Sequence, residues 1–263
     1  MISTVPILLY HAVSDDPPDW IAPFTVSPAT FADHLDVVAA SGRVPLTVSQ
    51  YADGRRDGTL PERPVLITVD DGFADFAINA LPILAERNLP STLYVTTGAL
   101  ADRRPDSVLP AAAMLQSADL PLLAAAGVEI GAHSHTHRQL DLLPEDAVAE
   151  EVSLSRDVLA DAVGHHIRSF AYPHGYWRAR VRRLVADAGF DSACGVAEAL
   201  SSARDHPLAL SRLMVRADTS ASTVAAWVSG SGARVLTSRR RVPAFGWRQY
   251  RRARQLRSAG FHP

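Results

Sequence analysis

The stretch Val65–Gly72, VLITVDDG, constrains the fold more than any other part of the chain. An unbroken run of β-branched and aliphatic residues is the signature of a strand buried on both faces, as in a parallel sheet. This run stops abruptly on two adjacent carboxylates and a glycine. One explanation is a helix cap, because a helical period begins near Phe73 and aspartate is a good N-cap. A second explanation comes from Gly131–His137, GAHSHTH, which also follows directly on a short apolar strand, Val128–Ile130. Acids at one strand end and histidines at another point to a shared metal site.

The same rhythm recurs along the chain. Val5–Tyr10 reads as a first buried strand that delivers His11 at its end. Ser27 and Pro28 mark a helix start, with Phe31, Leu35 and Val38 on one face and Gly42 as its stop. Val44–Leu46 is a short strand, and Thr47 with Gln50 forms a capping box for a brief helix that Asp53–Gly54 is expected to end. Thr92–Val95 is the next strand, and Leu100–Ser117 breaks the rhythm as an excursion of the kind that shapes substrate clefts. Ala118–Ala126 and Pro144–Val163 read as helices. In the second, Val148, Val152 and Leu159 share a stripe, and Glu145, Glu150, Glu151 and Asp157 lie off it. Ile167–Tyr172, Ser192–Val196 and Leu208–Val215 complete about seven strands, with a basic amphipathic helix over Tyr176–Ala188.

Strand–helix alternation over 263 residues predicts an α/β fold, a parallel sheet closed into one (β/α) barrel over residues 1–232. Barrels carry their chemistry at the C-terminal ends of strands, where His11, Asp70, Asp71, His133, His137 and His174 all fall. The single cysteine, Cys194, excludes a disulfide framework. No segment is long and apolar enough to span a bilayer. The N-terminus lacks a basic region and a cleavage site, so the expectation is a soluble, cytoplasmic protein. The formal charge of −2 hides an asymmetry: no acidic residue follows Asp218, and Arg234–Arg257 holds nine arginines. Residues 233–263 are therefore read as a basic tail. It suits a solvated helix against the acidic body, or contact with a membrane surface or a lipid-linked glycan. No nucleic-acid recognition fold is visible.

His133 and His137, four residues apart, can aim two imidazoles at one cation, and one of the two aspartates completes an open set of two histidines and a carboxylate. Successive residues of an extended segment point in opposite directions, so the other aspartate is left free as a base. That combination suits hydrolysis of an amide or ester by metal-activated water. His11 is then a candidate acid for the leaving group. His135 reads as a hydrogen-bonded histidine behind the ligands, and His165 and His166 as a solvated helix end. His34 and His206 carry no signal.

VLITVDDGFAD, VEIGAHSHTHRQL and SFAYPHG, in that order, resemble the polysaccharide deacetylases, the NodB-homology domain of carbohydrate esterase family 4. The resemblance runs from Pro6 to Val215. YHAV at Tyr10–Val13 and FTVSPATFADHL after it are similar to the branch that includes poly-N-acetylglucosamine deacetylases. The resemblance implies a distorted barrel, with Asp70 as general base and Asp71, His133 and His137 as ligands of one divalent metal ion, zinc first and cobalt or nickel next. His11 would be the general acid. Ala171 stands where the family usually carries an arginine that braces the base; Arg212 is a candidate replacement, or an ordinary strand-edge arginine. His174 stands in place of the usual aromatic, with its backbone N–H facing the oxyanion. Tyr172 and Trp177 suit either sugar stacking or the core. The implied activity is removal of the acetyl group from an N-acetylated saccharide. The alternatives are hydrolysis of a non-sugar amide, formamide or imide, and glycan binding without catalysis.

Overall fold

In the computed structural model, which describes residues 4–235, the apolar runs become parallel strands. In chain order these are β1 (Ile7–Tyr10), β2 (Val44–Leu46), β3 (Pro64–Val69), β4 (Thr92–Val95), β5 (Glu129–Ala132), β6 (Ser169–Ala171), β7 (Ser192–Cys194) and β8 (Leu213–Met214). Their spatial order is β7-β6-β5-β4-β3-β1-β8, with β2 alongside β3. Leu66 of β3 pairs with Ile7 of β1 and with Leu46 of β2, so β2 and β4 share the other edge of β3. The sheet curls until its two edges are joined by one segment. Leu210 bridges Cys194 of β7, and three residues later Leu213 pairs with Leu8 of β1. The result is the expected barrel-like α/β fold.

Helices α1 (Pro28–Ala40), α2 (Val48–Asp57), α3 (Leu81–Glu86), α4 (Asp119–Ala125), α5 (Glu145–Val163), α6 (Ala179–Asp187) and α7 (Ala221–Ser229) intervene or follow. Ser27 caps α1 by accepting from the Thr30 N–H, and the Thr47–Gln50 capping box of α2 is complete. Two expectations are corrected. Helix α2 runs through Asp53–Gly54 to Gly58, because Gly54 serves close packing: a Cβ there would lie 3.3 Å from Leu60 Cα. The helix expected from Phe73 begins only at Phe76, as a π-helical turn leading into α3, since Phe73 instead bridges Met114 of the excursion. Arg234–Val235 pairs with Ala199–Leu200, so packing continues past residue 232. The rest of the expected basic tail, residues 236–263, lies outside the described residues. Among the described residues no helix is long and apolar enough to cross a membrane.

Alternation along the strands sorts the core into two parts. Leu8, Tyr10, Val65, Ile67 and Val69 pack under the helices. Ile7, Leu66, Tyr94, Ala171, Cys194 and Leu210 form a second cluster, with Tyr51 of α2. Tyr94 fits there only because residue 131 has no side chain: a Cβ on Gly131 would fall 2.5 Å from the tyrosine ring and 2.8 Å from Ser169 Oγ. Gly131→Ala is therefore expected to overpack this cluster and lower stability by about 1–3 kcal/mol. A reduced urea midpoint at unchanged slope is the measurement that checks it.

Candidate metal and catalytic centre

Strand β3 hands the chain to the aspartates while still paired, the Asp70 N–H donating to the Tyr10 carbonyl at 3.0 Å. The backbone then turns left-handed at Asp71 (φ 74°) and Gly72 (φ 89°). For an L-residue such as Asp71 this conformation costs on the order of 1–2 kcal/mol. It also breaks the alternation expected of an extended segment. Both carboxylates face one cluster: His133 Nε2 lies 3.6 Å from Asp70 Oδ2 and 3.5 Å from Asp71 Oδ1. Neither aspartate caps a helix. Ser134, His137 and His174 are left-handed as well, so backbone strain gathers around this one centre.

The histidine loop leaves β5 at Ala132. His133 Nδ1 donates to the Ala171 carbonyl at 2.8 Å, which turns Nε2 toward the aspartates. His137 Nε2 lies 3.2 Å from Asp71 Oδ1. That oxygen is enclosed yet makes no well-formed hydrogen bond. Separations of 3.2 and 3.5 Å are what bonds of about 2.0–2.1 Å to one tetrahedral ion would produce between neighbouring ligands. Asp71, His133 and His137 thus form a buried donor set that fits a metal ion. His135 stands apart, its Nδ1 2.8 Å from Thr97 Oγ1 and its Nε2 3.5 Å from Asp106.

Asp70 is held differently. Arg212, fully buried, grips its carboxylate with two hydrogen bonds of 2.6 and 2.7 Å. The guanidinium also donates to Thr68 Oγ1 and the Gly195 carbonyl and lies over the Tyr94 ring, 5.5 Å from its centroid. Burial alone would raise the Asp70 pKa; the charges of Arg212 and then His133 override it and hold the carboxyl below its usual range. Asp71 is also pulled down against burial, by His137 first. Burial pushes His133 down to about 4, against the opposing pull of Asp70, so its imidazole is neutral and ligand-competent near pH 7.

His11 reaches the same cluster. Burial lowers its pKa, with Asp71 and then Asp70 pulling the other way. Its ring packs 5.6 Å from Phe24, and Nδ1 has no hydrogen-bond partner among the described residues. The His174 ring sits 4.8 Å from that of His137. Tyr172 is buried, its hydroxyl donating to the Leu208 carbonyl and its ring stacked on Trp177; this is the core placement. His165 and His166 are exposed beyond the end of α5.

Sequence reasoning misses Glu151. The hydrophobic period sets it off the buried stripe of α5, yet it is 7 % exposed. Its carboxylate accepts from the N–H groups of His135 and Thr136, at 3.0 and 2.8 Å, and from the Thr136 hydroxyl. The available signal is its spacing, three residues after buried Val148 and four before buried Ser155.

Removing one partner of a buried ion pair leaves the other charge uncompensated. Arg212→Met is expected to cost about 3–5 kcal/mol, and Asp70→Asn in the same protein to recover much of that. The sign with pH follows from the lowered Asp70 pKa. The pair stabilises the fold above the unfolded carboxyl value of about 3.9, and this contribution is lost as pH falls through the lower folded value. Denaturant unfolding of both variants between about pH 3 and 7 checks the expectation.

The chain is similar to several known proteins. The family model described as polysaccharide deacetylase matches residues 57–193. The Streptococcus pyogenes deacetylase PplD superposes with a TM-score of 0.75 at 24 % identity, covering 85 % of this chain and 97 % of PplD. IcaB of Ammonifex degensii gives 0.73 at 25 %, with 86 % and 97 % covered. The Bacillus subtilis protein YxkH, a polysaccharide deacetylase by name, is 21 % identical over 85 % of this chain and 76 % of its own. With more than half its length matched by the family model, and with the fold of its solved relatives, the chain belongs to the polysaccharide deacetylase family.

Proposed function

We propose that this member of the family is a metal-dependent N-deacetylase that hydrolyses the acetamido group of an N-acetylated amino sugar to acetate and a free amine. The observation that carries the reading is the buried Asp71–His133–His137 donor set beside an aspartate held ionised by Arg212. Three protein ligands leave positions open for water and substrate, the mark of a catalytic rather than a structural site. When bound, a divalent ion, zinc first and cobalt or nickel next, supplies a lowered pKa for coordinated water and a Lewis acid for the acyl carbonyl.

The residues of the chain supply the rest. Asp70, ionised and fixed by two hydrogen bonds, accepts the proton given up by the attacking water. A C–O bond forms at the acyl carbon and the C–N bond breaks. The departing nitrogen takes a proton from His11, a ring whose burial lowers its pKa and makes it a ready donor once protonated. Asp70 gives up the proton it took from water, so that both groups end as they began, with acetate and the free amine as products. A binding module would need neither a metal set nor a spare, arginine-held carboxylate, which favours the enzyme over the non-catalytic alternative.

Chelator-treated protein is expected to release no acetate from chitooligosaccharides or N-acetylamino sugars, and to recover on adding zinc, cobalt or nickel. Asp70→Asn is expected to keep metal binding and lose turnover by at least about 100-fold, in line with the usual weight of a general base. Asp71→Asn is expected to lose the metal. A metal-loaded protein that releases acetate from none of these sugars overturns the N-acetyl sugar assignment and shifts it to a non-sugar amide.

A further inference from the structure

The loop that carries both histidine ligands is pinned on two sides. Its carbonyls face the excursion that follows β4: Ser134 O accepts from Thr97 N, His135 O from Gly98 N and Thr136 O from Val108 N. Within the loop, the His137 N–H donates to Ser134 Oγ. The N–H groups of His135 and Thr136, midway between the ligands, both go to one carboxylate oxygen of Glu151, and the Thr136 hydroxyl goes to the other. Three donors from two adjacent residues converge on a single buried acid. Among the described residues no arginine, lysine or histidine forms an ion pair with it.

We infer that Glu151 is a positioning residue for the metal centre, acting through the HSHTH loop in two ways. First, it fixes the loop. A backbone left-handed at Ser134 and at His137 is held against relaxation by the groups that take up its amides and carbonyls, and loss of the Glu151 bonds would free the amide side and let the two imidazoles drift apart. Second, it sets the charge. Arg212 pairs with Asp70, whereas Glu151 brings a buried negative charge to the segment between the two histidines with no arginine, lysine or histidine paired to it among the described residues. A buried anion with no cation of its own is costly, and a metal ion bound nearby would relieve that cost. The inference rests on the metal reading given above and assigns a residue to it.

The probe is zinc alone, titrated into the metal-free full chain against a chromophoric chelator. Glu151→Ala is expected to weaken zinc binding by about 10–100-fold, the range seen when groups behind metal ligands are removed. Glu151→Gln keeps an acceptor oxygen for the two amides and loses the charge, so it is expected to fall between the wild type and Ala. Thr136→Val, which removes one hydrogen bond, is expected to weaken binding less than Ala. Near-ultraviolet circular dichroism of each metal-free variant shows whether the fold is intact. A folded Glu151→Ala with wild-type zinc affinity overturns the inference; if that variant does not fold, wild-type affinity in both Glu151→Gln and Thr136→Val does so. A wild type that binds no zinc, cobalt or nickel would instead refute the metal reading, and this inference with it.

Discussion

The paired hydrogen bonds between Arg212 and Asp70 set the conditions for the rest of the centre. The two residues come from distant parts of the chain and adjoin strands that are not neighbours, since β1 lies between β3 and β8. To reach Asp70 the guanidinium crosses the Tyr94 ring, and that ring occupies its place because Gly131 has no Cβ. A buried pair of this kind adds little net stability, because desolvation offsets most of the attraction. What it provides is a defined state: Arg212 holds Asp70 below its usual pKa and directs its two oxygens, a grip that the adjacent Asp71 lacks.

That division between adjacent aspartates would fail on regular backbone. In an extended strand Asp71 would project away from Asp70. A left-handed Asp71 followed by a left-handed Gly72 brings both carboxylates to the same histidine, His133. Strain of this sort persists only where surroundings over-determine it. Here the Asp71 carbonyl accepts from the Thr96 N–H, the Gly72 carbonyl from the Leu115 N–H, and a Cβ on Gly72 would sit 3.2 Å from Val95. The chain after β4 therefore holds the turn after β3.

Much of this is legible in the sequence because burial and period are local properties. VLITV reads as a buried strand whatever follows it, and Ser27, Thr47 and Gly164 announce helix ends through their own backbone chemistry. The ligand set is legible because histidines and acids at strand ends are expensive to keep there without a task. The rest is encoded non-locally. LSRLMV by itself does not say which carboxylate Arg212 will meet, since its partner lies 142 residues away; only the family resemblance offered it as the brace for the base, with an ordinary strand-edge arginine as the alternative. Gly54 has the composition of a helix stop, yet packing against Leu60 uses it as a close contact. Glu151 escapes for a similar reason: hydrophobic stripes are traced through apolar residues, and an acid on the stripe is passed over although its position is the informative one.

The excursion after β4 ties these observations together. Sequence rhythm marks it as irregular, and exposed Arg103, Arg104 and Pro105 at its outer end fit a cleft wall. Its inner end, however, is built into the metal loop. Gly98 is enclosed between two carbonyls: a Cβ there would lie 2.7 Å from His135 O and closer still to Asp106 O, so only glycine permits the approach. Through Gly98 and Val108 the excursion donates to the carbonyls of the same loop whose amides are held by Glu151. The excursion and α5 thus hold the same loop, one at its carbonyls and the other at its amides. The loop between His133 and His137 is therefore held at carbonyls and amides alike, by two segments far apart in the sequence.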